Sequence, residues 1–242
     1  RSNALEFEVE IAVFPEITLS DYKEIAKTKN AVPKEAINIS DEEVQKTIEW
    51  LQKSRRTDGA HENDPLPVLT NEFAQSLGNF KTVQDLQNAI RENITFEKQE
   101  KARDKRRAGL LNGICEQSFL EIPDILIDAE KSAMIAELKD GVASMGMEWS
   151  VYLTHLKKTE DELTSELQKD AERRAKNELV LRDIAKREHI APSDDECNAW
   201  AYQYLMARSD QEKKDIDPHR VAGYAYGVLK NQKVFEFLEN IV

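Results

Sequence analysis

Leu5, Phe7, Val9, Ile11 and Val13 alternate with Glu6, Glu8 and Glu10 near the start of the chain. A period of two is the signature of a half-buried strand. "PEITLSDYKEIA" then leaves the strand as an extended connector, with Pro15 limiting pairing. At Ser40 the period changes. "SDEE" has the spacing of a capping box, and Val44, Ile48 and Leu51 follow on one helical face with Trp50 beside them. "LTNEFAQSLG" predicts a short helix. A long one follows over the run that ends before Pro123, with Val83, Leu86, Ile90 and Ile94 at helical spacing. From Glu97 to Arg107 that helix is almost wholly charged, which predicts a stretch projecting into solvent. Pro123 can open the next helix at its first position. Two further capping boxes, "TEDE" from Thr159 and "SDDE" from Ser193, start helices, and Asp217 with Pro218 starts the last. The first of these carries Leu163, Leu167, Ala171, Ala175 and Leu179 at intervals of four. The pattern amounts to four long helices and several short ones. Neither sustained heptads nor an internal repeat is visible, so antiparallel helices forming arms and a body are expected.

Composition agrees with a mainly α protein. Of 242 residues, 40% are hydrophobic and 33% charged, while eight glycines and seven prolines leave little material for loops. The formal net charge of −12 opposes nonspecific binding to nucleic acid or to an anionic membrane. No apolar run approaches the roughly 20 residues that span a bilayer. Cys115 and Cys197 lie far apart in helical patterns, which points to neither a disulfide framework nor a CxxC site and fits a reducing, cytoplasmic setting. The opening "RSNA", without an initiator Met, reads as an expression scar.

Little in the chain resembles catalytic chemistry. His61, His155, His189 and His219 are scattered and share no ligand spacing, so no metal is expected. There is no GxGxxG, Walker loop or GxSxG, so no nucleotide, cofactor or nucleophile is implied. Carboxylates on helix faces serve solvation, and no catalytic residue is assigned. The basic run "KQEKARDKRRAG" admits contact with RNA or with acidic polypeptide. Its interleaved Glu97, Glu100 and Asp104 favour a solvated helix with i,i+4 pairs, and it lacks the aromatics of a single-strand binder.

The order of the pieces carries a resemblance. "FEVEIAVFPEITLSDYKEI", "ISDEEVQKTIEWLQKSR", "LPVLTNEFAQSLGNFKTVQDLQNAIRENI", "FLEIPDILIDAE" and "KVFEFLENI" are similar to successive landmarks of bacterial trigger factor, a ribosome-associated folding chaperone. The resemblance implies a C-terminal helical domain over 40–242, an elongated cradle with protruding arms. Residues 1–39 would hold the end of the ribosome-binding domain and a linker. Trigger factors usually carry a prolyl isomerase domain after the helix resembling Ser40 to Arg56. Here that interval is the short join at 57–66, which begins "TDGAHENDP" and is too short for a domain of about 50 residues. No enzyme activity is therefore expected. The ribosome-anchoring loop of the type Gly-Phe-Arg-x-Gly-Lys-x-Pro does not occur, so ribosome contact would belong to the missing part of the N-terminal domain.

The implied function is ATP-independent holding of unfolded or nascent polypeptides through several weak apolar contacts. Its candidate contacts fall in two clusters. "ASMGMEWSVYL" places Met145, Met147, Trp149, Tyr152 and Leu153 around Gly146, where the chain reverses. Methionine and aromatic side chains there can repack against varied partners, or can simply close the hairpin. In "CNAWAYQYLMA" and "VAGYAYGVL", Trp200, Tyr204, Met206 and Tyr224 would line the cradle by the resemblance, or pack the last two helices together. A scaffold for one folded partner or a second copy of the chain is the alternative function. The strand at 5–14, deprived of its sheet, is a candidate edge for self-association.

Overall fold

The computed structural model describes residues 15–33, 35–55, 65–208 and 217–242, the side chains of residues 218 and 219 excepted. The strand expected over 5–14 and most of the join at 57–66 lie outside these residues. Among those described, ten helices form and no sheet does, so the mainly α expectation holds. They are α1 Tyr22–Asn30, α2 Asp41–Ser54, α3 Asn71–Leu77, α4 Val83–Gln117, α5 Asp124–Ser144, α6 Trp149–Leu156, α7 Glu160–Glu166, α8 Gln168–Arg187, α9 Asp194–Met206 and α10 Pro218–Glu239.

The three capping boxes form as their spacing predicts. Ser40, Thr159 and Ser193 accept the backbone N–H of Glu43, Glu162 and Glu196, whose carboxylates accept the cap N–H in return. Each box satisfies two orphan donors and contributes about 1 kcal/mol to its helix start.

Three expectations are corrected. The connector is not extended throughout, because Asp21 caps α1 by accepting the Glu24 N–H and the chain coils from Tyr22. Pro123 sits one residue before α5, with φ −60° and ψ 139°. The helix begun at Thr159 is interrupted at Leu167, where ψ is −7°. Leu167 still donates to the Leu163 carbonyl and accepts from Ala171, so the apolar face runs across the break.

Two compact units make up the chain, 1–32 with 110–242, and Pro33–Gly109. The smaller unit is closed by Val44 and Ile48 of α2, Ala74 of α3, and Leu86 and Ile90 of α4, with Phe80 and Ile94 packed around them. Gln52, buried among them, donates to the Pro67 carbonyl at 2.6 Å. The larger unit is centred on Tyr22 and Ala26, Leu110 and Ile114, Val180 and Ile184, and Val234 and Leu238, which come from α1, the end of α4, α8 and α10. Ala26, Val180, Ile184, Val234 and Leu238 are fully inaccessible.

Long-range bonds hold the larger unit's terminal segments to its core. Thr18 and Phe119 exchange backbone bonds of 3.0 Å as an isolated antiparallel bridge, and the Ser20 N–H donates to Ser118 Oγ. The Tyr22 hydroxyl donates to Glu188 at 2.5 Å, and Lys23 pairs with the same carboxylate. Asn30 donates to the carbonyls of Leu238 and Ile241, satisfying the end of α10. Between α5 and α8, Arg174 grips both oxygens of Glu137 at 2.9 Å, the fork geometry that suits a guanidinium to a carboxylate.

Candidate functional site

The first candidate cluster surrounds the turn from α5 into α6. Val142 is the last buried residue of α5, and the Met147 N–H returns to its carbonyl at 3.2 Å. Gly146 takes φ +71°, a conformation that any other residue would find strained. The turn throws Met145 outward, where it is 82% exposed, and leaves Met147 exposed as well.

Trp149 begins α6 and is half-buried. Its indole N–H donates to Glu160 Oε2 at 2.8 Å, and its ring stacks on Tyr152 with centroids 5.4 Å apart. The Lys139 ammonium lies 5.4 Å from the indole centroid and bonds the other oxygen of Glu160 at 2.8 Å. The Lys139 bond first, and then the Trp149 bond, hold the Glu160 carboxyl below the usual glutamate range. Together these groups fix the indole plane.

What is not fixed is the rest of α6. Its eight residues, "WSVYLTHL", include none that is buried. Tyr152 and Leu153 are half-buried, while Val151 and Leu156 are exposed. The helix ends at Lys157 in the left-handed region, with φ 56°, which turns the chain into the capping box of α7.

The second cluster lies on α9 and α10. Cys197, Val221 and Ala225 supply buried packing on these two helices, and the aromatic side chains gather at the margin of that seam. Trp200 stacks on Tyr204 with centroids 5.3 Å apart and meets Tyr224 at 5.7 Å with planes tilted by 59°. The Arg208 guanidinium covers Tyr204 at 4.8 Å and donates to its hydroxyl at 3.1 Å. Trp200 and Tyr204 are half-buried, Tyr224 is 62% exposed, and Met206, Tyr202 and Tyr226 are also exposed. Glu196, at the cap of α9, is lowered to about 2, first by its bond from Lys233 and then by the Ser193 cap.

Of the nine residues singled out from the sequence, the structure therefore joins Trp149 with Tyr152 and Trp200 with Tyr204 and Tyr224. Sequence reasoning missed Lys139, Glu160 and Arg208, which orient the rings, and Val151 and Leu156, which extend the apolar surface of α6. Glu160 was visible only as part of a capping stretch, and Val151 and Leu156 only as positions in a short apolar run.

No helix among the described residues is long and apolar enough to cross a membrane. Among them, too, no group of three or more His, Cys, Asp or Glu could hold a metal ion.

Comparison with known proteins assigns the family. The model for the bacterial trigger factor C-terminus matches residues 82–239, and the N-terminal trigger factor model matches residues 1–51. Trigger factor of Halothermothrix orenii is 31% identical over 178 residues, covering 73% of this chain and 40% of that protein. The Carboxydothermus hydrogenoformans trigger factor is 28% identical, covering 72% and 42%, and that of Deinococcus deserti 27%, covering 73% and 41%. The chain thus spans about two fifths of the length of these relatives. A solved structure described as "Promiscuous Substrate Recognition in Folding and Assembly Activities of the Trigger Factor Chaperone" aligns at 15% identity with a TM-score of 0.45, over 94% of this chain and 73% of that one. The family models carry the assignment without it: this chain belongs to the bacterial trigger factor family.

Proposed function

We propose that the chain is an ATP-independent holding chaperone that docks apolar segments of unfolded or nascent polypeptides on its exposed apolar surfaces. One observation carries the reading: α6 is rich in apolar and aromatic residues and buries none of them, while Met145 beside it stands in solvent. Among the described residues no neighbour buries this helix, which leaves its apolar side free for another molecule. The second cluster offers a comparable surface through Met206, Tyr224 and Tyr226.

Magnitudes favour reversible capture. An aromatic anchor buries about 150–250 Å², worth roughly 4–6 kcal/mol gross before ordering costs. Two or three engaged anchors, set against the entropy of fixing an unfolded segment, leave a modest net affinity. A net charge of −12 keeps the loaded molecules apart and soluble. Neither nucleotide nor catalytic residue enters this mechanism. A cytoplasmic site of action, and ribosome contact through the family's N-terminal domain, belong to the same proposal. A scaffold for one folded partner is not favoured by the family match.

The test is light scattering from a chemically denatured, unrelated protein diluted into buffer with and without this chain. Suppression that weakens in Trp149→Ala or Trp200→Ala supports the reading and places a contact on that cluster. No suppression at several-fold excess over several clients would refute it.

A further inference from the structure

Sulfur is distributed unevenly over the structure. Cys115 and Cys197 are both buried. The Cys115 thiol donates to Asn177 Oδ1 at 3.2 Å, and burial pushes it up to about 11, so it stays a thiol rather than the reactive thiolate. Of the four methionines, Met134 on α5 is half-buried, whereas Met145, Met206 and Met147 are 82%, 60% and 38% exposed. Methionine is ordinarily a core residue. Here every exposed methionine stands at one of the two apolar clusters.

The backbone around these residues is closed without help from the sulfur. The Met145 N–H donates to the carbonyls of Gly141 and Val142 at 3.3 and 3.1 Å, and the Met147 N–H returns to Val142. Main-chain atoms alone thus finish α5 and set the turn at Gly146. Met206 is the last residue of α9, whose end is closed in the same way by the Ala207 N–H, which donates to the carbonyls of Gln203 and Leu205. A change in the chemistry of these side chains therefore alters the surface offered to a client and leaves the helix ends intact.

An accessible thioether reacts with two-electron oxidants. With hydrogen peroxide, a sulfur lone pair attacks one peroxide oxygen, the S–O bond forms and the O–O bond breaks. The proton on the transferred oxygen passes to the departing hydroxide, which leaves as water. Sulfur loses two electrons and the peroxide gains them. The sulfoxide is polar and chiral where the thioether was apolar and flexible, and methionine sulfoxide reductases restore it. We infer that Met145, Met147 and Met206 form a reversible oxidation switch, in which hydrogen peroxide converts them to sulfoxides and lowers the capacity of the chain to hold apolar segments. The inference rests on the holding function and adds a means of regulating it.

The experiment treats the full chain with hydrogen peroxide, removes the oxidant, and locates each added oxygen by mass spectrometry of proteolytic fragments. Met145 and Met206 should be oxidised before Met147, and all three before Met134, Cys115 and Cys197. The amount of chain that halves the aggregation of a denatured client should then rise roughly tenfold, the loss of about one buried methionine contact. Methionine sulfoxide reductases of both stereospecificities should restore the original amount. Met145→Leu combined with Met147→Leu and Met206→Leu keeps size and apolarity. That variant should suppress aggregation equally before and after peroxide. The denaturant midpoint of the oxidised parent should match that of the untreated chain, because the three side chains face solvent.

Three sulfoxides with suppression unchanged overturn the switch. So does a leucine variant that loses suppression on peroxide treatment as the parent does, which assigns the effect to other residues. A denaturant midpoint that falls together with suppression also overturns it, since the cause is then damage to the fold, and so does earlier oxidation of Met134 or of either cysteine. The reductase arm needs no variant at all. The untreated chain judges the holding function separately. A chain that suppresses aggregation and ignores oxidation loses the switch and keeps the holding function. A chain that never suppresses aggregation loses both.

Discussion

Helices α6 and α8 invert what their compositions suggest. Eleven of the twenty residues of α8 are charged, yet Ala171, Ala175, Leu179, Val180, Leu181, Ile184 and Ala185 are buried. In α6 no residue is acidic or cationic except through His155, and none is buried. Spacing decides the difference. In α8 the apolar residues follow the helical period, and Val180, Leu181, Ile184 and Ala185 meet α1, α4 and α10 across a continuous core. In α6 they surround a helix of only two turns, bounded by Gly146 and Lys157, with too few neighbours to cover them. Burial therefore measures a pattern with a partner, whereas apolar content without a partner measures availability to another molecule.

The largest expected effect breaks the buried side of this contrast. Ile184→Ala opens a cavity where the side chain is fully inaccessible and should cost about 2–5 kcal/mol, seen as a lower denaturant midpoint. On the exposed side, Val151→Ser with Leu156→Ser should leave stability within about 0.5 kcal/mol per site while weakening aggregation suppression. If the α6 variant destabilised the chain as much as the α8 variant, the contrast would collapse.

Acid should sharpen the comparison at the helix starts. Glu43 and Glu196 are both held at about 2, mainly by bonds from Lys98 and Lys233 and then by their capping serines. Their folded values lie below the ordinary 4.5, so the folded state binds fewer protons than the unfolded one between those limits. The stability they contribute is present above the ordinary value and is lost as pH falls towards 2. Denaturation followed at descending pH should show this loss, and Glu43→Gln with Glu196→Gln should flatten it. Tyr22 has the opposite sign. Burial, aided by its bond to Glu188, pushes it up to about 12, so its contribution persists below its ordinary value and fades as pH rises through 12. Spectroscopic titration of Tyr22→Phe against the parent should remove that late phase.

The smallest effect concerns the indole. Lys139→Met should raise the Glu160 titration more than Trp149→Phe does, following the order of the two bonds, and carboxyl-resolved NMR would read both.

How much of this was legible depended on range. The three capping boxes are local devices, and the sequence states them outright. Helix α1 is hard to read from the sequence although Tyr22, Ile25 and Ala26 hold helical spacing, because the extended pattern of "PEITLS" runs into Asp21 without a break. What Tyr22 touches could not be foreseen, since Glu188 lies 166 residues away. The aromatic clusters were visible as clusters. Their orienting partners were not, because Lys139, Glu160 and Arg208 look like any solvated charge until folding brings them to a ring.

The bond from Gln52 to the Pro67 carbonyl has a consequence for modularity. It fastens the chain beyond the join to the last turns of α2, so the two ends of that interval are held in place by the smaller unit itself. Whatever length of polypeptide lies between them adds little strain to the helices on either side. The position behaves as a socket, since both of its rims belong to one unit whose core does not depend on what lies between them.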